Sequence, residues 1–308
     1  MTASETLQLA WNTQALWSAL DPLLPGVAVE VMARVESTNT ALVERARLSS
    51  SQRTPAWNRS TAPASLGSQP QHGRRSMDFQ PCLLVAEHQT RGRGRMGRSW
   101  SAQPGASLTF SLALPLSPVD WSGLSLAVGA AIADVLESPA QGLPLQLRLK
   151  WPNDLWLQDS AAPLGGRKLG GILIETVPIG GRRMCVVGIG LNILPIAGED
   201  FSSGSACLQE LLPGASAPQV LALIAPALAR AVQRFESLGF AAFMPSYAER
   251  DALAGQRVTT TQAGAPSGVA EGVDERGALR LLCDDGRRVL VNSGEVSVRP
   301  GGVSGQAS

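Results

Sequence analysis

Histidine is nearly missing from this chain, with His72 and His88 as its only two. A histidine-built zinc site or a histidine-dependent catalytic triad is therefore poorly supplied. Cysteine is also sparse. Cys82, Cys185, Cys207 and Cys283 form no C-x-x-C pair, and three of them sit in apolar, strand-like contexts. They read as buried small hydrophobes in a reducing compartment, not as a metal centre or a disulfide framework. No apolar run is long enough to span a bilayer, and no basic region leads into an apolar core at the start, so neither a membrane anchor nor a secretory leader is expected. The pattern G-x-x-x-x-G-K-[ST] is absent, which excludes the common P-loop. Neither sign of charge is in excess: 26 Lys and Arg face 25 Asp and Glu, for a net charge of +1. A chain that works mainly by gripping nucleic acid would show a broader basic excess. These absences leave a soluble, cytoplasmic chain of 308 residues, 44% hydrophobic, long enough for one large domain and a small one.

The basic residues are instead concentrated in one place. From Glu87 to Trp100, Arg91, Arg93, Arg95 and Arg98 alternate with Gly92, Gly94 and Gly97, directly after the apolar run Cys82 to Ala86. Guanidinium forks and bare backbone N–H groups together suit a phosphate or a carboxylate. The three glycines spell G-x-G-x-x-G, but a dinucleotide fold requires a helix to follow. Here Pro104-Gly105 signals a turn, and Ser107 to Leu114 reads as another strand. A flexible, RNA-binding arginine–glycine segment is the other reading, yet such segments repeat and this one occurs once, between two strands. An anion-binding loop that orders around its ligand fits better.

Helical spacing of Leu7, Trp11, Leu16 and Leu20 predicts a helix over Glu5 to Leu20, and Val27 to Val35 alternates as a strand. Ser37 or Thr38 then caps a helix through Leu48. Residues 47–80 are rich in Ser, Pro, Gln, Arg and Gly and read as a disordered insertion. Beyond it come strands at Cys82 to Ala86 and Ser107 to Leu114, an Ala/Leu-rich helix over Trp121 to Leu136, and an alternating stretch Leu145 to Lys150 that breaks at Trp151-Pro152. Strands follow over Lys168 to Thr176 and Met184 to Asn192, then helices over Pro218 to Leu238 and Phe240 to Leu253. Short strands with glycine turns fill Gln256 to Val298, a small barrel-like β-domain. The expected division is a catalytic domain over 1–253, a β-domain over 254–300 and a tail over 301–308.

Further motifs place chemistry around this frame. Ser37-Thr38-Asn39 joins a strand to a helix. Lys150-Trp151-Pro152-Asn153-Asp154 gathers a cation, an aromatic and two oxygen-bearing side chains at a proline break. Lys168-Leu169-Gly170-Gly171-Ile172-Leu173 sets a lysine at the mouth of a glycine-bearing strand, where a ligand or another backbone can approach closely. Gly190-Leu191-Asn192 repeats that theme. Each motif alone has a structural explanation. In this order and spacing, together with Gly92-Arg93-Gly94-Arg95, they resemble the biotin protein ligases from Ser37 to about Arg299, outside the insertion.

That resemblance implies an α+β architecture: a mixed-sheet catalytic domain and a C-terminal SH3-like barrel. It implies a reaction in which biotin and ATP, with Mg²⁺ on the phosphates, give biotinyl-5′-AMP and pyrophosphate, after which a lysine of the biotin carboxyl carrier protein of acetyl-CoA carboxylase takes the biotinyl group. Two anions must be held together against their repulsion, which calls for cations and oriented N–H groups in a closed site and needs no nucleophile of the enzyme. Carried over by position, Ser37, Thr38, Asn39, Gln89, Gly92, Arg93, Lys168 and Gly171 bind biotin. Arg95, Arg98, Trp100, Lys150, Asn153, Asn192 and Arg299 face the nucleotide, with Arg95 and Arg98 assigned to pyrophosphate or to loop closure. Lys168 bridges carboxylate and α-phosphate, and Arg93 lies on the closing loop. Asp154 either orients or deprotonates the carrier lysine or is purely structural. No protein-held metal is implied. Met96 stands where some relatives have another basic residue. Only 36 residues precede Ser37, too few for the helix-turn-helix domain of bifunctional members, so no DNA partner is expected; a homodimer is compatible with the family. The rival enzyme is a lipoate or octanoate ligase of related architecture, and the rival class is a nucleic-acid-binding protein that uses the arginine loop.

Overall fold

Two interleaved side-chain periodicities set the layers of this structure. It is a computed structural model that describes residues 9–51, 80–139, 144–162, 164–179, 182–196, 204–264, 267–293 and 298–300. The chain runs α1 (Thr13–Leu20), β1 (Ala28–Val35), α2 (Thr38–Ser51), β2 (Cys82–Gln89), β3 (Gly92–Arg93), β4 (Ser99–Trp100), β5 (Ser107–Leu116), α3 (Leu124–Leu136), β6 (Leu147–Lys150), β7 (Asp154–Gln158), β8 (Gly166–Ile179) and β9 (Arg182–Asn192). Then follow α4 (Ala217–Leu238), α5 (Met244–Arg250), β10 (Arg257–Thr260), β11 (Ser267–Val273), β12 (Leu279–Cys283), β13 (Arg288–Val291) and β14 (Val298–Pro300). A seven-stranded sheet has the order β1-β2-β5-β9-β8-β7-β6. Its β1–β2 pair is parallel and the other ladders are antiparallel, so the sheet is mixed.

Strand β5 shows the rule. Leu108, Phe110, Leu112 and Leu114 belong to the large core shared with α3 and α4, and each buried side chain contributes about 1.5–3 kcal/mol of transfer free energy. The residues between them, Ser107, Thr109, Ser111 and Ala113, are small and face the other way. On that second face α2 covers one region through Leu42, Val43 and Ala46, against Cys82, Leu84, Ala113, Val177 and Val186. The sheet is thus buried on both faces there, which explains the continuous burial of β5 and β9. Burial holds the Cys82 and Cys185 thiols at about 12, so both stay protonated and inert at neutral pH.

Most expected elements are present, with corrections at their ends. The first helix starts at Thr13, not Glu5, because Asn12 caps it by accepting from the Ala15 N–H; Glu5 to Gln8 lie outside the described residues. The helix after Ser37 runs to Ser51, past the expected end at Leu48. Gln80 is ordered against the Gly26 carbonyl, and residues 52–79 of the expected insertion lie outside the described residues. After the cis Trp151–Pro152 bond the chain turns straight back as β7, a strand the motif reading took for a break. The expected single helix over Phe240 to Leu253 is a 3₁₀ turn, Phe240–Phe243, followed by α5 with Pro245 in its first turn, where a missing N–H costs nothing. No described helix is long and apolar enough to cross a membrane.

Strands β10 to β14 form a separate antiparallel sheet in the order β13-β12-β11-β10-β14, filled by Val258, Ala270, Leu279, Leu281, Val291 and Val298. Its buried residues join the large core, and a tight polar contact seats it on the rest of the chain. The fully buried Trp151 donates from Nε1 to the Gly277 carbonyl at 3.0 Å. Gly277 has φ +76°, and a Cβ there would stand 2.8 Å from the Cα of Gly123. Arg276 adds an exposed pair with Asp120 at 2.8 Å. Gly277→Ala therefore meets both backbone strain and a backbone clash. Chemical denaturation should show a loss of about 1–3 kcal/mol; a variant as stable as the parent would refute the close seat.

Candidate active site

The second face of the sheet changes character along its length. Under α2 it is filled by Val177 and Val186; further along the same strands stand Gly171 on β8 and Gly188 and Gly190 on β9. In the β8–β9 register Gly171 opposes Gly190 and Leu173 opposes Gly188. The missing side chains leave a cavity of about 310 Å³. Two groups occupy its edges because the glycines admit them. The Asn39 amide lies where a Cβ of Gly188 would be, 2.1 Å from its Oδ1, and the Trp100 ring lies where a Cβ of Gly190 would be, 2.4 Å away. A Cβ on Gly171 would stand 3.6 Å from both Lys168 Nζ and Asp154 Oδ1, inside the open space.

One wall is the start of α2. Ser37 caps it by accepting from Thr40 N–H at 3.4 Å. Parallel pairing brings the ends of β1 and β2 together, with Val35 beside Gln89. Gln89 Oε1 accepts from the Thr38 N–H at 2.8 Å. Ser111, from the small-residue face of β5, is hydrogen-bonded to Thr38 Oγ1 at 2.7 Å and Asn39 Oδ1 at 2.6 Å. Because Asn39 Oδ1 can only accept, Ser111 gives its single proton there. The Asn39 amide then donates to Leu173 O at 3.2 Å and Glu175 Oε2 at 3.0 Å. Ser37, Thr38, Asn39 and Gln89 are all buried, and they form a rigid polar end to the cavity.

The opposite wall is electrostatic. Lys168 Nζ lies 2.8 Å from Asp154 Oδ1, and Lys150 Nζ lies 4.0 Å from Asp154 Oδ2. One carboxylate thus stands between two cations in a partly buried site. Aromatic faces flank them: Lys150 is 5.3 Å from the Trp156 ring centroid and Lys168 is 5.9 Å from that of Trp100. Asn153 is spent on the sheet edge, donating to Ile172 O at 2.8 Å while its own carbonyl oxygen accepts from Arg95 at 3.3 Å.

The arginine loop closes over the top as the hairpin β3–β4, in which Gly92 pairs with Trp100 and Arg93 with Ser99. A Cβ on Gly92 would meet the Trp100 carbonyl at 2.3 Å, so glycine is needed at that point. No helix follows the glycines. Between the two strands Met96 and Gly97 take positive φ, 55° and 71°. The arginines divide their work in a way the sequence reading did not assign. Arg93 lines the cavity at its rim, pairing with Glu175 at 2.7 Å and donating to Thr40 Oγ1 at 3.1 Å. Arg95 reaches inward to Asn153 and to the Ser293 carbonyl of the small sheet. Burial, its first cause, lowers the Arg95 pKa, and Arg98 acts in the same direction while the nearby Asp154 charge opposes them. Arg98 lines the cavity beside it.

Asn192 and Arg299 were both expected at the nucleotide. Asn192 is buried and does not line the cavity; it donates to Ser205 Oγ at 3.2 Å and Ala206 O at 3.1 Å. That segment pairs with the Lys168 backbone, through Lys168 N–H to Gly204 O at 3.1 Å and Ala206 N–H to Lys168 O at 2.9 Å, so Asn192 braces Lys168 from behind. Arg299 lies in β14 opposite Thr259, and Val298 lines the cavity. Sequence reasoning missed Ser111, Trp156, Gly188 and Glu175 as members of the site. Gly188 and Glu175 stand within the expected strands Met184 to Asn192 and Lys168 to Thr176, and Ser111 stands out as a hydroxyl in an apolar strand. Among the described residues no cluster of three His, Cys, Asp or Glu could hold a metal ion.

The bare glycine floor of the mixed sheet, the lysine–aspartate pair and the basic loop lie within residues that match a known class: residues 76–192 match the Biotin/lipoate A/B protein ligase family. Residues 254–299 match the Biotin protein ligase C terminal domain. The chain is 34% identical over 229 residues to the biotin--[acetyl-CoA-carboxylase] ligase of Mycobacterium tuberculosis, covering 71% of this chain and 79% of that one. It is 34% identical over 221 residues to the bifunctional ligase/repressor BirA of Escherichia coli, covering 70% of this chain and 65% of that one. The biotin protein ligase of Aquifex aeolicus in complex with biotin and ATP superposes with a TM-score of 0.62 at 26% identity, over 89% of this chain and 99% of that one. The chain belongs to the biotin protein ligase family.

The glycine floor yields a direct test. Gly188→Ala must displace the Asn39 amide, and the loss of stability should be about 1–3 kcal/mol in chemical denaturation. The cost of alanine at 188 should largely vanish in an Asn39→Ala background. An equal cost in both backgrounds would show that the collision lies elsewhere.

Proposed function

We propose that this chain is an ATP-dependent ligase that activates biotin as biotinyl-5′-AMP and transfers it to a lysine of a biotin carboxyl carrier protein of acetyl-CoA carboxylase. One observation carries the reading: Lys168 and Asp154 lie 2.8 Å apart against Gly171, beneath a loop that directs Arg95 into the same space. The rigid polar end at Thr38, Asn39 and Gln89 suits a cyclic urea, which presents N–H donors and a carbonyl acceptor side by side. The glycine floor suits the flat fused ring and its apolar chain. The biotin carboxylate would then lie near Lys168.

In the first step a carboxylate oxygen attacks the α-phosphorus of ATP, a P–O bond forms, and the bond to pyrophosphate breaks. Lys168 is the cation that lets two anions meet, and Arg95 and Arg98 stabilise the departing phosphates. In the second step the carrier lysine attacks the acyl carbon, the C–N bond forms and AMP leaves. Asp154 lies where it can orient that amine and accept its proton. Mg²⁺ would be held by phosphate oxygens and water, since phosphate-bound Mg²⁺ keeps several waters and few protein ligands. We assign catalysis to residues 1–253, with residues 254–300 closing one side through Ser293 and Val298.

Lys168→Ala should lower biotin-dependent ATP–pyrophosphate exchange by about 10²-fold or more while the melting temperature stays near that of the parent. Exchange within threefold of the parent would remove Lys168 from the bridging role. Exchange with lipoate and none with biotin would overturn the substrate assignment. Arg95→Gly should raise release of the adenylate, read as labelling of bystander lysines on an added protein. Retention equal to the parent would show that Arg95 does not guard the intermediate.

A further inference from the structure

We infer that Glu175 is a positioning residue that latches the arginine loop shut, an inference that rests on the ligase reading above and deepens it. Glu175 does not line the cavity, yet both of its carboxylate oxygens are engaged beside it. Oε2 accepts from Asn39 Nδ2 at 3.0 Å, and Oε1 accepts from Arg93 Nη2 at 2.7 Å. Asn39 is itself fixed by Ser111 and by the Leu173 carbonyl. The carboxylate is therefore held from the rigid polar end of the site and offers its remaining oxygen to the loop.

Arg93 turns this contact into a clamp. Its second nitrogen donates to Thr40 Oγ1 at 3.1 Å, so one guanidinium spans the first turn of α2 and strand β8. Its backbone pairs with Ser99 in the hairpin that also carries Trp100 over the floor and sets the direction of Arg95. The base of the loop is pinned separately, by Thr90 N–H to Val35 O at 2.9 Å and Arg91 N–H to Glu36 O at 2.8 Å. With its base fixed, the hairpin can swing about residues 90–91, and the Arg93–Glu175 pair holds it down from the far side. The Arg93 side chain is 47% exposed and that of Glu175 is 23% exposed, so the pair is weak and screened by salt. A weak latch suits a lid that must open at every turnover to admit the carrier lysine.

The test uses Glu175→Gln, which keeps an acceptor for Asn39 and removes the charge facing Arg93, and Arg93→Met, which removes the other partner. Leakage of biotinyl-5′-AMP, read by labelling of bystander lysines, should rise about two- to fivefold in each variant and no further in the double variant. Added salt should raise leakage from the parent and leave the Glu175→Gln variant unchanged. Trypsin cleavage within residues 91–98 of the ligand-free chain should speed up in both variants, and this measures the latch even if biotin is not the substrate. Additive effects in the double variant, leakage from Glu175→Gln alone, or cleavage at the parent's rate in both variants would each overturn the latch. Failure of the parent to form any biotinyl-5′-AMP would instead overturn the ligase reading.

Discussion

The site depends on a steric constraint: one stretch of one sheet face must carry no side chains. Residues on the α2-facing surface of β8 and β9 fill the space where the helix covers them, at Val177 and Val186, and stop filling it at Gly171, Gly188 and Gly190. The cavity is the continuation of the second core with its contents removed. Nothing else in the fold could make it. The large core on the opposite face is packed by Ile172, Ile189 and Leu191 from the same two strands, so the floor stays flat and stiff from behind. A bare floor on a stiff sheet supplies both depth and a fixed reference for the groups around it.

Electrostatic arrangement follows from that depth. Asp154 at the start of β7 opposes Gly171 in the ladder, which puts its carboxylate within reach of Lys168 on β8 and of Lys150 across the β6–β7 turn. Two lysines and one aspartate leave a net positive site before any loop residue is counted. An incoming anion therefore meets a cation already held in place, and the cost of ordering that side chain has been met during folding. The tryptophan faces keep the ammonium groups from full hydration and add a modest attraction of their own.

Much of this was legible in the sequence, and the limits have physical causes. Alternation marked β1 and β6, and the glycines of β8 and β9 marked strands with a close approach; all four strands are present and the glycines are closely approached. The decoy G-x-G-x-x-G was correctly set aside, because the residues after it form β4 and β5 and no helix. Strand β7 was hidden because a proline turn separates it from β6 by only three residues, Trp151, Pro152 and Asn153, so the hairpin looked like an ending. The long helix expected after Gly239 was broken by Pro245 and by the demand that Arg250 turn inward to Asp134 and Glu137. Division of labour among the arginines could not be read at all. Arg93 and Arg95 are two residues apart and alike in chemistry, and their directions are set by partners 82 and 58 residues away. Glu175 was in view only as part of the expected strand Lys168 to Thr176, and only the fold shows that it meets Arg93.

The small sheet is best understood as part of the same closure and not as an appendage. Trp151, whose indole holds Gly277, immediately precedes Pro152, Asn153 and Asp154, all of which line the cavity. The seat of one sheet is therefore continuous in sequence with the working edge of the other. From the small sheet Ser293 accepts from Arg95 and Val298 adds apolar surface to the rim. Arg95 consequently answers to three places: the loop that carries it, the Asn153 edge beneath it, and the sheet beyond it. Glycine at 277 and 123 allows the two units to approach closely enough for that triple contact. A shift of the small sheet is therefore carried to the anion site directly, through the contact of Arg95 with the Ser293 carbonyl.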